Sequence, residues 1–181
     1  MALIIVIAVL AVIALWFISC QNRLVKADEI CSNSLKQINV QQVSRYDALK
    51  ALVKLTKDYA GYESETLEKI IEQRKIVSSA NPSVADINAN EAALGGVLAR
   101  LVAVSERYPE LKANQQYSKT MDSVKEYENN VRLARMTFND TVTKYNNLVR
   151  MFPGSIVAGM LGFARRDYLT EDNSKAEYPE I

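Results

Sequence analysis

The chain has 181 residues, 22 basic against 21 acidic side chains, and no histidine. That length fits one domain plus an additional segment, and the near balance of charge leaves no overall field to attract nucleic acid or another polyanion. The lack of histidine removes the usual proton shuttle and the commonest metal ligand. Two cysteines cannot make a disulfide scaffold.

The first element is a run of 19 residues without a charge, Ala2 to Cys20. As a helix it spans roughly 28 Å, close to the hydrocarbon thickness of a bilayer, with Trp16 near the end where an aromatic ring suits the interface. A cleaved secretory signal or a lipoprotein signal ending at Cys20 would begin with a basic region, and no Lys or Arg precedes Arg23. Residues 1–22 are therefore expected to be a transmembrane anchor. Arg23 and Lys26 come after it, so the positive-inside rule places the N-terminus outside and the remainder of the chain in the cytoplasm.

Residues 23–168 are expected to form a helical domain, with 169–181 a polar tail. The first helix, about 23–60, can continue directly out of the membrane. Leu24, Cys31, Leu35, Ile38, Tyr46, Leu49, Leu52 and Tyr59 recur along it at spacings near three, four and seven. Cys20 and Cys31 on one helix are 11 residues apart, roughly 16 Å along the axis and too far for a disulfide, so both are expected to be small buried thiols. Gly61 marks a break. A second helix is expected over about 63–79, with Leu67, Ile70, Ile71 and Val77 inward. Ser79 to Ser83, containing Pro82, is a loop, because residues before proline avoid the helical region.

A third helix is expected over 84–107. Its Gly95-Gly96 pair costs helix stability, about 1 kcal/mol per glycine against alanine, and close packing with a neighbouring helix is the usual reason to keep such a pair. Tyr108-Pro109 turns the chain, and Asn114 is placed to cap a fourth helix, 114–151, that carries Tyr117, Met121, Val124, Val131, Phe138, Val142, Tyr145 and Val149. After Pro153-Gly154, Ser155 could cap a short apolar helix over 155–163, too short to span a bilayer. It reads either as a flap docked on the open end of the bundle or as a second membrane or partner contact, helped by Arg165 and Arg166. The whole pattern predicts an all-α protein: an N-terminal transmembrane helix followed by an antiparallel four-helix bundle of long helices.

No catalytic constellation occurs. Gly95-Gly96 sits in a helical pattern rather than a phosphate-cradling loop. Glu63, Glu65, Glu68 and Glu72 share a helix, but a di-metal carboxylate bundle pairs such glutamates with histidine, and Lys69 and Arg74 beside them suit a solvated face. No cofactor, metal or nucleic acid is expected, and the tyrosines at 46, 59, 117, 127 and 145 suit a core or groove.

Several strings resemble the LemA family of bacterial membrane proteins: Asn22-Arg23-Leu24-Val25, Arg45-Tyr46-Asp47, SERYPELKANQQY at 105–117, ARMTFNDTVTKYNNLVRMFP at 134–153, and Gly162-Phe163. The chain departs at Asp47-Ala48-Leu49-Lys50, where relatives show a proline, and at its last residues, where they often end in a short hydrophobic tail. The resemblance implies a bundle anchored in the bacterial inner membrane with the N-terminus outside. It implies no settled biochemical activity, although a relative of this group takes part in building bacterial organelle membranes.

Two non-enzymatic roles are then open. The favoured one is a self-associating scaffold that organises or remodels membrane, with Gly95, Gly96, Ile156, Met160 and Phe163 as candidate contacts. The alternative is an adaptor for another membrane protein, such as a protease or sensor, docking through Tyr108 and Leu111; helix termination explains the same string more plainly. The expected partners are the lipid bilayer, further copies of the chain, and in the second reading that other membrane protein.

Overall fold

The computed structural model describes residues 1–61, 68 and 81–170, which hold five helices and no strand: α1 (Ala2–Thr56), α2 (Val84–Arg107), α3 (Pro109–Ala113), α4 (Gln115–Arg150) and α5 (Gly154–Leu161). The second helix expected over 63–79 and the tail beyond residue 170 lie outside the described residues. The chain divides into two compact units, one of residues 1–34 with 137–168 and the other of 35–136 with 169–181.

Helix α1 is a single unbroken helix of 55 residues. It contains neither glycine nor proline, so no break separates the apolar segment from the remainder of the helix. Its first part exposes apolar side chains all round, as a membrane-spanning segment does. From Leu24 onward one stripe is buried. Cys31, Leu35, Ile38, Gln42, Arg45, Leu49, Leu52 and Thr56 succeed one another by four and three residues in strict alternation. That rhythm, a period of about 3.5 residues, keeps one face turned toward neighbouring helices. Helix α2 repeats it with Ile87, Asn90, Leu94, Val97, Leu101 and Val104.

In the unit built on 35–136, Leu49, Leu52 and Val53 pack with Leu94, Val97 and Leu101, and Tyr117 and Val124 complete the core. Gln42 reaches Ile87 and Arg45 reaches Glu91, so α1 and α2 run in the same direction there. Arg45 faces Glu128 while Tyr59 meets Asn114, so α4 runs oppositely. Two turns are locked by side chains. The Ser83 hydroxyl accepts from the Asp86 N–H at 3.1 Å while Asp86 accepts from the Ser83 N–H at 2.9 Å, a reciprocal capping box. Asn114 accepts from the Tyr117 N–H at 3.1 Å and donates to the Tyr59 hydroxyl at 3.1 Å, so the expected cap also ties α4 to the end of α1. The hydroxyl and backbone N–H of Ser83, both donating to Asp86, hold its carboxyl below the usual carboxylate range.

In the other unit, α1 and α4 are antiparallel: Leu24 packs with Leu148 and Val149, and further along α1 Cys31 meets Thr141. Helix α5 docks on α1 through Val157 and Ala158, against Leu24 with Phe17 and Cys20 alongside. Its start corrects one expectation. Ser155 does not cap it; Pro153, two residues earlier, occupies that position with no side-chain hydrogen bond, and the helix begins at Gly154. It lies against the final turns of the apolar segment and the end of α4, beside Phe17, Cys20, Leu24, Leu148 and Val149. The helix ends at Gly162, whose φ of 76° is the left-handed conformation that favours glycine, and the Phe163 N–H donates back to the Ala158 carbonyl at 3.0 Å. Residues 163–170 continue without helix. Leu169, expected to begin the polar tail, is buried.

Burial separates neighbours on α2. Replacing Leu101, fully buried, with alanine is expected to cost about 2–5 kcal/mol in chemical denaturation, whereas Val102→Ala, on the exposed side, stays within about 0.5 kcal/mol.

Candidate functional site

Two polar constellations stand out against the apolar stripes, one in each unit. In the unit of 35–136, Gln42 and Arg45 occupy stripe positions that an apolar residue would normally fill. The Arg45 side chain is 0% exposed. Its Nη1 donates to Glu91 Oε1 at 2.9 Å, and its Nη2 lies 3.9 Å from Glu128 Oε1. The other Glu91 oxygen accepts from Gln42 Nε2 at 3.3 Å, and the same Nε2 donates to the Ile87 carbonyl at 3.0 Å. Three helices therefore meet at one guanidinium. Arg45 Nε and Nη2 have no hydrogen-bond partner among the described residues, which leaves Glu91 as the principal counter-charge. Burying a charge is costly unless it is paired, so this cluster fixes which residues of α1, α2 and α4 stand level.

In the other unit the cluster gathers around Arg166. Its Nε donates to Asp28 Oδ1 at 2.8 Å and its Nη2 to Ser32 Oγ at 2.9 Å. Asn146 holds the same residue's backbone from both sides, donating to the Arg166 carbonyl and accepting from its N–H, each at 2.9 Å. The Tyr145 hydroxyl donates to the Ala164 carbonyl at 2.8 Å, and the Arg166 guanidinium lies 5.8 Å from the Tyr145 ring centre. The hydrogen bond to Asp28 holds Arg166 above the usual arginine range. Burial pushes the Tyr145 phenol up, helped by Asp28. Burial also pushes the Cys31 thiol up, against the opposing Thr141 hydroxyl and Arg166 charge. Arg166 is an anchoring group here: it straps the extended segment to α1 and α4.

These contacts explain the strings singled out in the sequence. Arg45-Tyr46-Asp47 divides three ways, with Arg45 in the buried ion pair, Tyr46 against the apolar core, and Asp47 on a surface hollow with Ser44 and Tyr127. The string at 134–153 supplies Tyr145 and Asn146, and Gly162-Phe163 supplies the left-handed turn. The LemA family model matches residues 34–181. The chain belongs to the LemA family. Curated relatives of this LemA protein include magnetosome protein MamQ 2 and magnetosome protein MamQ 1 of Paramagnetospirillum magneticum, each 32% identical over 77 residues. Magnetosome protein MamQ of Magnetospirillum gryphiswaldense is 31% identical over the same length. Each match covers 42% of this chain and only 28% of the relative. With the exposed apolar run of α1, long enough to cross a bilayer, the chain is a membrane-associated helical protein.

The candidate contact residues scatter. Leu111 is fully buried in the core and Tyr108 packs against the same core, because residues 109–113 form a short helix instead of an open loop. Nothing lies within 4 Å of where a Cβ on Gly95 would stand, so close helix packing does not account for that glycine among the described residues, and Gly96 is exposed. Both fall off the buried stripe, between Leu94 and Val97. Ile156 and Met160 are exposed on α5, and Phe163 packs against the Leu24 cluster. Of the glutamate face, Glu68 is described, while Glu63, Glu65 and Glu72, with Lys69 and Arg74, lie outside the described residues. Cys31 is buried as expected; Cys20 is only partly so, and both are free thiols. The sequence reading missed Arg45 and Arg166 as pairing centres. The signal for Arg45 was present: it stands seven residues from Ile38 and four before Leu49, on the apolar stripe itself.

Removing one partner of the buried pair is expected to cost more than removing both. Glu91→Ala should lose about 3–5 kcal/mol in chemical denaturation, and R45M combined with E91M distinctly less. The raised groups in the other unit favour their protonated forms in the folded chain. Between the unfolded and folded titration ranges the unfolded chain holds fewer protons, so stability is full below the ordinary thiol range and falls as pH rises through the raised thiol and phenol ranges. Thermal unfolding followed from neutral to alkaline pH should show that decline, with Cys31→Ala removing its earlier part.

Proposed function

We propose that this protein is a non-enzymatic, membrane-anchored scaffold that self-associates and organises or remodels the bilayer holding it. The observation that supports this best is α1 itself: the apolar run and the buried stripe of the folded part are one helix with no intervening linker. A tethered catalytic or receptor domain is well served by a flexible connection. A helix that passes without interruption from lipid into a packed core instead couples the bilayer mechanically to the bundle. Exposed Leu133 and Met136, three residues apart on one face of α4, give apolar surface for a second copy.

The proposed topology puts the N-terminus outside a bacterial inner membrane and the folded part in the cytoplasm. Arg23 and Lys26 support it, and so do Arg150 and Arg165, both exposed in the same unit. The partners in this reading are the bilayer and further copies of the chain, with no cofactor. The adaptor reading is weaker, because its docking string is a short helix whose Leu111 belongs to the core. The magnetosome relatives are matched over too small a share of their length to lend their role.

Light scattering on the full-length protein in mild detergent, corrected for bound detergent, should give a discrete assembly larger than one chain. Leu133→Glu with Met136→Glu should reduce its mass while circular dichroism keeps its helix content. A monomer for the unaltered chain, in detergent and in vesicles, would overturn self-association.

A further inference from the structure

The end of α4, the turn after it and the outer side of α5 carry an apolar surface that the fold leaves uncovered. Phe152 is 80% exposed and Met160 72%, and Met151 and Ile156 are also open. The inner side of the same helix is buried through Val157 and Ala158. The neighbours of this surface are fixed by contact. Met151, Phe152 and Pro153 share a hollow of about 310 Å3 with Trp16, Ser19 and Cys20 of α1. Those α1 residues are the last turns of the uncharged run Ala2–Cys20, which as a helix covers roughly 28 Å, about one hydrocarbon thickness. Side chains packed beside Trp16–Cys20 therefore stand at the edge of the hydrocarbon when α1 spans a bilayer.

The local backbone and charge agree with that depth. A Cβ on Gly154 would collide with the Leu148 carbonyl, so the glycine permits the tight reversal after Phe152 that carries α5 back alongside α1. From Arg150 to Arg165 there are two positive charges and no negative one, and Arg23 lines the same hollow. Asp28, further along α1, is occupied by Arg166. Apolar side chains at the hydrocarbon edge with arginines at the headgroup level match an interfacial contact with anionic lipid.

We propose that residues 150–163 form a second membrane contact, in which the Met151-Phe152 turn and the outer face of α5 enter the leaflet from which α1 emerges, with Arg23, Arg150 and Arg165 on anionic headgroups. This rests on α1 spanning a bilayer and is independent of self-association. The occupant is lipid rather than a second protein because the surface lines a common hollow with the segment that lipid surrounds.

The test uses the full chain in phosphatidylcholine vesicles, with and without phosphatidylglycerol, and acyl-brominated lipid as a quencher. Trp16, the only tryptophan, reports insertion of the span. In a Trp16→Phe background, Phe152→Trp, Met160→Trp and Tyr168→Trp each place one reporter at an exposed position. Expected are strong quenching and a blue-shifted emission at 152 and 160, with little of either at 168. Phosphatidylglycerol should strengthen the quenching at 152 and 160, and Arg150→Gln with Arg165→Gln should abolish that increment. Quenching of Trp16 without quenching at 152 and 160 would overturn this proposal alone. No quenching of Trp16 would overturn it together with the spanning reading.

Discussion

A guanidinium that has lost all contact with water is the constraint around which the larger helical unit is organised. Leucine and valine stripes attract one another without direction, so they tolerate sliding of one helix along another by a heptad at modest cost. Arg45 does not tolerate it. Its charge requires a carboxylate at hydrogen-bond distance, and Glu91 supplies one only when α2 stands at a single level beside α1. Gln42 repeats the requirement one turn earlier, tying the Ile87 carbonyl and the second Glu91 oxygen to the same face. The pair's use lies in specifying register more than in net stability, since a well-packed apolar substitute at such positions is often at least as stable.

The unit that contains the apolar run is held differently. Its extended segment after Gly162 cannot satisfy its backbone within a helix, and every buried N–H and C=O must find a partner. Tyr145, Asn146 and Arg166 meet that need with four short contacts to carbonyls, an N–H and a carboxylate. Arg135 adds the Thr170 carbonyl at the far end of the segment, within the other unit. The two consecutive polar residues on α4 thus do for an irregular strand of chain what a neighbouring strand would do in a sheet.

The long helices among the described residues were legible because their determinants are local. The lack of a break from Ala2 to Thr56 and the Asn114 cap act over a few residues and were expected from the sequence, whereas the equally local Ser83–Asp86 box was not singled out there. The features that could not be read depend on partners distant in sequence. Asp28 and Arg166 are 138 residues apart, and nothing in either neighbourhood announces the other. Leu111 misled for a related reason. Beside Tyr108-Pro109 it looks like part of an exposed turn, yet Pro109 starts a short helix, a position where its missing N–H is harmless, and that helix turns Leu111 inward. The Gly95-Gly96 pair suggested close packing because glycine in a helix asks for a reason; for Gly95 the described residues supply none.

The exposed apolar residues are unevenly distributed, and the imbalance bears on why α5 exists. An isolated helix of eight residues is not stable in water, so α5 depends on the surfaces it packs against. Its docking side offers only Val157 and Ala158, worth at most a few kcal/mol of apolar burial, against the entropy of ordering the whole turn and helix. Leaving Phe152, Ile156 and Met160 in water adds no compensation, and each would gain about 1.5–3 kcal/mol if removed from it. A short helix with so little inner surface and so much outer surface is balanced most simply when both sides are covered, the inner one by α1 and the outer one by the medium that surrounds the adjoining turns of α1.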